Sequence, residues 1–196
     1  MNVNPAVTTN FPGTFVVESD GYVQGLIMDD PALRYQIAGA LVGSGVATPM
    51  WGGEAITEVL PAATPQPLGN NVILATAYAN LTGFTTFNQG GAGLVSAQSQ
   101  VPLYSAGQSI NIIRMGSGVR IAVKCDPTLA ASLLGEDINQ QVSWDFTNQL
   151  LVAFSSTALA CKILDVQVGN SKTVTYNTGT GFATWDLTGA CALIQI

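Results

Sequence analysis

Residues 108–125, QSINIIRMGSGVRIAVKC, decide the fold class. Residues 110–115 (INIIRM) and 119–125 (VRIAVKC) are rich in β-branched side chains and too short for stable helices. Gly116-Ser117-Gly118 lies between them as a turn signal, which predicts two antiparallel strands joined as a hairpin. The same texture of short apolar run, then turn, extends in both directions.

Downstream, residues 126–135 (DPTLAASLLG) carry the best helix signals in the chain. Asp126 is an N-cap, Pro127 suits the first helical position, and Gly135 is a stop. Residues 141–145 and 149–154 read as strands around a turn at 146–148. Four more short strands follow at 163–168, 173–176, 182–185 and 192–196. Val142-Ser143-Trp144-Asp145-Phe146-Thr147 has a weak echo in Val174-Thr175-Tyr176-Asn177-Thr178-Gly179, too slight to make a true repeat.

Upstream, strands are expected at 14–17 (TFVV), 22–28 (YVQGLIM), 55–60 (AITEVL), 72–79 (VILATAYA), 82–87 (TGFTTF) and 94–95. Turns and loops fall at 19–21, 43–45, 64–71 and 90–93. The segment 29–42 fits two templates. Asp30 before Pro31, with Leu33, Ile37 and Leu41 at helical spacing, suits a helix. Tyr35, Ile37 and Leu41 also share one face of a strand, and the flanks are strand-like, so a strand is expected. Residues 1–13 are polar, contain prolines and lack a period. They read as an extended N-terminal arm or as a disordered tail, and an arm that orders on a partner satisfies both.

A dozen short strands with regular turn signals imply an all-β fold, an antiparallel sandwich or barrel with at most one or two short helices. The body is 14–196, with room for two packed subdomains divided near 105. At 196 residues the chain buries roughly 70% of its unfolded surface and folds without disulfide staples.

Charge is scarce. Charged residues make up 9% of the chain, against a usual share of about 25%. Apolar content is 47%, which sets the chain apart from disordered sequences. Its polar surface is therefore built from Asn, Gln, Ser and Thr, and large contacts on such a surface need little charge desolvation. With six bases against twelve acids and the bases widely spaced, no basic patch can form. Phosphate-backbone binding and adhesion to an anionic membrane are not expected. The first residues show neither the basic nor the apolar region of a signal peptide, and no apolar run reaches the ~20 residues of a membrane helix.

The usual catalytic chemistry has no foothold. Histidine is absent, which removes the commonest general base and the commonest zinc ligand. Cys125, Cys161 and Cys191 sit in apolar contexts without CxxC spacing and read as small buried hydrophobes, although one pair could bridge. Asp29-Asp30 near Arg34 can hold a cation or pair the guanidinium, but turn punctuation before Pro31 is the simpler reading. Glu136-Asp137 reads as solvated loop. Gly43-Ser44-Gly45 and Gly116-Ser117-Gly118 are not nucleophile elbows, and residues 90–93 lack the Gly-Lys-Ser/Thr of a phosphate loop. The sequon at Asn80 is of the kind chance supplies. No catalytic, cofactor-binding or metal-binding residue is expected, and the protein is not expected to be an enzyme. Trp144 and Trp185 lie in alternating strands and suit a core. Trp51, in the corner Pro49–Gly53 (PMWGG), suits either a core or a contact surface.

Four runs carry a resemblance: 22–42 (YVQGLIMDDPALRYQIAGALV), 48–61 (TPMWGGEAITEVLP), 138–151 (INQQVSWDFTNQLL) and 169–185 (GNSKTVTYNTGTGFATW). In texture, and in the MWGG and VSWDF runs, the chain resembles structural proteins of tailed bacteriophage virions, nearest to the capsid-decorating, head-stabilising proteins of myophage-type particles. The resemblance implies a β-rich cement assembled in the host cytoplasm and bound to the capsid exterior. Its implied partners are the major capsid protein and further copies of itself, as a dimer or trimer. It brings no catalytic residues. On this reading the contact residues are Asn2, Val3, Asn4 and Phe11 of the arm, and Trp51. The rivals are a tail or fibre component or carbohydrate-binding module, which needs two exposed coplanar aromatics, and a hydrolase, which needs two carboxylates about 5–10 Å apart in a cleft.

Overall fold

The computed structural model describes residues 21–28, 35–61, 70–87 and 101–196. The strand expected at 14–17, the arm at 1–13, the residues Asp29, Asp30 and Arg34, and the turn at 90–93 with its following strand lie outside them. The chain is all-β, as the alternation of its short runs implies, and its first half closes into a barrel.

Five strands make that barrel: β1 (Ala38–Val42), β2 (Ala55–Val59), β3 (Asn71–Leu74), β4 (Gly83–Thr85) and β5 (Ser109–Arg114). Their order is β1-β3-β2-β4-β5, with β5 returning to β1. Four of the pairings are antiparallel. The fifth, β1 with β3, is parallel and has two rungs, Leu41↔Asn71 and Val42↔Val72. Period-two alternation places Ala40, Val42, Ile56, Val72, Ile110 and Ile112 in one buried cluster, joined by Met50 and Tyr104. Ile113, the next residue on β5, belongs to the larger core instead. This wall is buried on both faces, and that is why INIIR reads as a nearly unbroken apolar run.

β5 does not form a hairpin with β6 (Arg120–Lys124). Both edges of β5 are already taken, by β1 and by β4, so no edge remains for its neighbour in sequence. The chain turns at Arg114–Ser117, where the Ser117 amide donates to the Arg114 carbonyl over 3.3 Å. Gly116 and Gly118, at φ +79° and +74°, supply left-handed conformations that side chains disfavour. β6 then enters a second sheet, pairing antiparallel with β10 (Phe182–Gln195) from Lys124↔Cys191 to Arg120↔Gln195. β9 (Lys162–Asn177) is the third strand, in the order β6-β10-β9.

The four short strands expected at the C-terminal end are thus two long ones, of 16 and 14 residues. Gly169-Asn170 and Thr188-Gly189, which look like breaks, are irregularities inside a continuous ladder. The register shifts between Asp186 and Gly189 and again between Gly189 and Cys191, and Asn170 takes a φ of +63°. Such bulges bend a hairpin without ending it.

The stretch 22–28 is likewise not a regular strand. It makes two single bridges, Val23↔Lys172 and Ile27↔Ile121, around a turn at Gln24-Gly25. In 29–42, the described part contains β1 from Ala38, preceded by a 3-10 turn at Tyr35-Gln36. The strand expected over 72–79 stops at Leu74 and gives way to a 3-10 turn at Tyr78–Asn80.

The helix α1 (Pro127–Ser132) forms where its caps place it: the Asp126 carboxylate accepts from the amides of Thr128 and Leu129. β7 (Val142–Asp145) and β8 (Leu150–Ala153) form the expected hairpin. Its turn is held by Asp145 Oδ1, which accepts from the Thr147 and Asn148 amides. The echo at Asn177 has the same chemistry, Asn177 Oδ1 accepting from Gly179 and Thr180. The resemblance of the two runs therefore reflects two Asx turns. One core joins the halves, bringing Ala55, Phe84 and Ile113 of the barrel onto Ile121, Val123, Leu129, Trp144, Leu151, Ile163, Ala192 and Ile194.

Candidate contact surface around Trp51

The corner Met50–Glu54 is where three distant segments meet. Gly53 takes a φ of +85° and its amide donates to the Thr85 carbonyl on β4. The Phe87 amide donates to Gly25, and the Gly25 amide in turn donates to Ala122 on β6. The approach is too close for side chains. A Cβ on Gly52 would lie 2.6 Å from the Phe87 nitrogen, and one on Gly25 would lie 2.5 Å from the carbonyl carbon of Gly52. The Gly-Gly pair of PMWGG is therefore a packing requirement of a three-way junction.

Polar groups inside the junction are paired. Glu54 Oε2 accepts from the Trp51 amide over 2.8 Å. Thr85 Oγ1 donates to the Trp51 carbonyl and accepts from the Glu54 amide. Gln24, 1% exposed, accepts from the Val174 amide on β9. Glu54 is equally enclosed, and burial pushes its carboxyl up to about 8 against the single opposing contribution of the Trp51 amide.

Held by this corner, the Trp51 indole is half-buried and rests on Tyr176, with ring centroids 5.5 Å apart and planes at 34°. Trp185 stands edge-on to Phe87 nearby, in a small cluster with Val101, Val174 and Ala183. Trp51 thus joins the barrel to the far half of the β9–β10 hairpin. The tilt between Trp51 and Tyr176 departs from the coplanar platform on which a sugar ring stacks. Trp144 is a core residue, 3% exposed and edge-on to Phe84 at 5.0 Å.

The other residues singled out by the sequence are dispersed. Asn2, Val3, Asn4 and Phe11 lie outside the described residues. Asp137 is an exposed loop residue whose carboxylate holds the Asn139 amide. The three cysteines are free, and burial pushes each thiol up to about 12, so none is a ready nucleophile. A pocket of about 390 Å³ is lined by Gly116, Gly118, Ala160, Cys161, Lys162, Gln195 and Ile196, with no carboxylate side chain among them. Among the described residues, no cluster of three or more potential metal ligands forms, and no helix is long and apolar enough to cross a membrane.

Sequence reasoning missed Gln24, Glu54 and Gln149. Gln149 is 5% exposed at a φ of +53°, and its Oε1 accepts from the Ala55 amide at the start of β2. No local pattern marks these residues: Gln24 and Gln149 bond to Val174 and Ala55, far away in sequence, and Glu54 is enclosed by segments likewise distant. The one available signal was a lone acid, Glu54, opening the apolar run of β2. Comparison with protein-family models, with curated proteins and with solved structures finds no match.

Proposed function

We propose that this chain is a structural virion protein that decorates and stabilises the exterior of a bacteriophage capsid, binding the major capsid protein and further copies of itself. The observation that carries this reading is a charge-poor surface with large apolar side chains standing on it. Charged residues are 9% of the chain, while Leu134, Ile138, Phe154 and Leu187 stand 46% to 58% exposed. Such a surface can be covered with little charge desolvation. The resemblance of the MWGG and VSWDF runs to decoration proteins points the same way.

Mass spectrometry of purified phage particles tests the reading. The protein is expected among the abundant structural components, and its absence from the particle overturns the proposal. The arm is tested separately by deleting residues 1–11, which include Asn2, Val3, Asn4 and Phe11. The shortened chain is expected to fold and to occupy capsids poorly. Undiminished occupancy removes the arm from the contact.

A further inference from the structure

The Trp51–Glu54 corner holds an acid where an amide would do. Glu54 is 1% exposed and its carboxyl accepts one hydrogen bond, from the Trp51 amide three residues earlier in the same turn. The groups bonded to or packed on the corner are Gln24 and Gly25 from the segment 22–28, Thr85 and Phe87 at β4, and Gln149 through Ala55. Tyr176 from β9 touches the corner through Trp51 and is the one titratable group in this set. None of them is cationic. The acid on the same strand, Glu58, is bound to Arg114 at 2.7 Å, so that guanidinium is engaged elsewhere. Among the described residues, no charged group contributes to the state of Glu54. A carboxylate formed here has one amide donor and, among the described residues, no counter-ion, whereas the neutral acid is tolerated.

We propose that this corner is a pH-sensitive latch: in alkali the Glu54 proton passes to solvent, the carboxylate turns outward to be hydrated, and the four-residue turn that presses the Trp51 indole onto Tyr176 comes undone. The glycines that allow the close approach also make the open form accessible, because Gly52 and Gly53 restrain the freed backbone least. Opening frays the end of β4 that bonds to the corner, where the Gly53 amide and the Glu54 carbonyl pair with Thr85, while the register of β2 with β3 and β4 from Ala55 onward stays in place. Latch and barrel are therefore separable.

The folded chain holds this proton to higher pH than the unfolded chain. The contribution of Glu54 to stability is thus whole below the ordinary value of 4.5 and is lost as pH rises to about 8. The unmodified protein is titrated between about pH 6 and pH 10, following indole fluorescence and amide hydrogen exchange by NMR. Indole emission is expected to shift to the red with a midpoint near 8, and protection of the Trp51 amide is expected to fall about tenfold beyond the intrinsic rise in exchange rate. Glu54→Gln keeps the shape and the acceptor and is expected to abolish both changes. A flat profile in the unmodified chain overturns the proposal, and so does an unchanged profile in Glu54→Gln. Should that variant not fold, the exchange data on the unmodified chain decide: loss of protection that is uniform over the barrel, with none specific to the corner, also overturns it.

Discussion

Two tryptophans join the barrel to the rest of the molecule, and they do so differently. Trp144 arrives on the β7–β8 hairpin and enters the main core, edge-on to Phe84, while its backbone amide donates to the Tyr78 hydroxyl. Trp51 leaves the barrel on a glycine corner and meets Tyr176 in a small outlying cluster, half-buried, over an enclosed carboxyl. The first joint is mainly apolar, its polar contact being the Tyr78 hydroxyl. The second is polar and titratable. Burial alone does not make a joint permanent; the state of the groups enclosed with it does.

Substitutions can break this contrast. Trp144→Ala removes a large side chain from the core and is expected to lower stability by about 3–5 kcal/mol, read by denaturant unfolding. Trp144→Phe is expected to cost much less, because it fills most of the site and deletes the indole N–H, which has no partner among the described residues. If the two variants cost the same, the joint depends on something other than packing. Gln149→Ala leaves the buried Ala55 amide without its acceptor, and about 1–3 kcal/mol should be lost. Trp51→Ala is expected to cost about 1–2 kcal/mol, since the ring is half-exposed and its pairing with Tyr176 contributes about 1 kcal/mol. A loss as large as that of Trp144→Ala would erase the distinction between the joints.

What could be read from the sequence follows from how far its causes reach. The helix was legible to its ends because Asp126, Pro127 and Gly135 act within one or two turns. The β7–β8 hairpin was legible because Asp145 closes its own turn. The hairpin expected across Gly116–Gly118 was not, because it was decided by β1 and β4, which occupy both edges of β5 from positions far back in the chain. Gly169-Asn170 and Thr188-Gly189 have the composition of turns, and only their alignment across the ladder reveals them as bulges. The Trp51 corner was half legible. Its glycines announced an unusual backbone, but the partners Gln24, Thr85 and Tyr176 lie beyond any local window, and nothing near Glu54 tells of its enclosure.

The outer margin of β9 bears on how the protein stays dispersed. A closed barrel offers no strand edge to a neighbour, whereas β9 is the outer strand of its sheet, and among the described residues its far edge is met only locally, by Val23 at Lys172 and by Ile138 at Ile163. Unpaired margins of this kind template the addition of further strands, and charges and bulges are the ordinary defence. Lys162 and Asp165 place two exposed charges near the start of this strand, the segment at Val23 covers it at Lys172, and the irregular ladder around Asn170 bends the margin away from flat. In a sequence so poor in charge, that placement guards a long strand margin along which copies could otherwise polymerise.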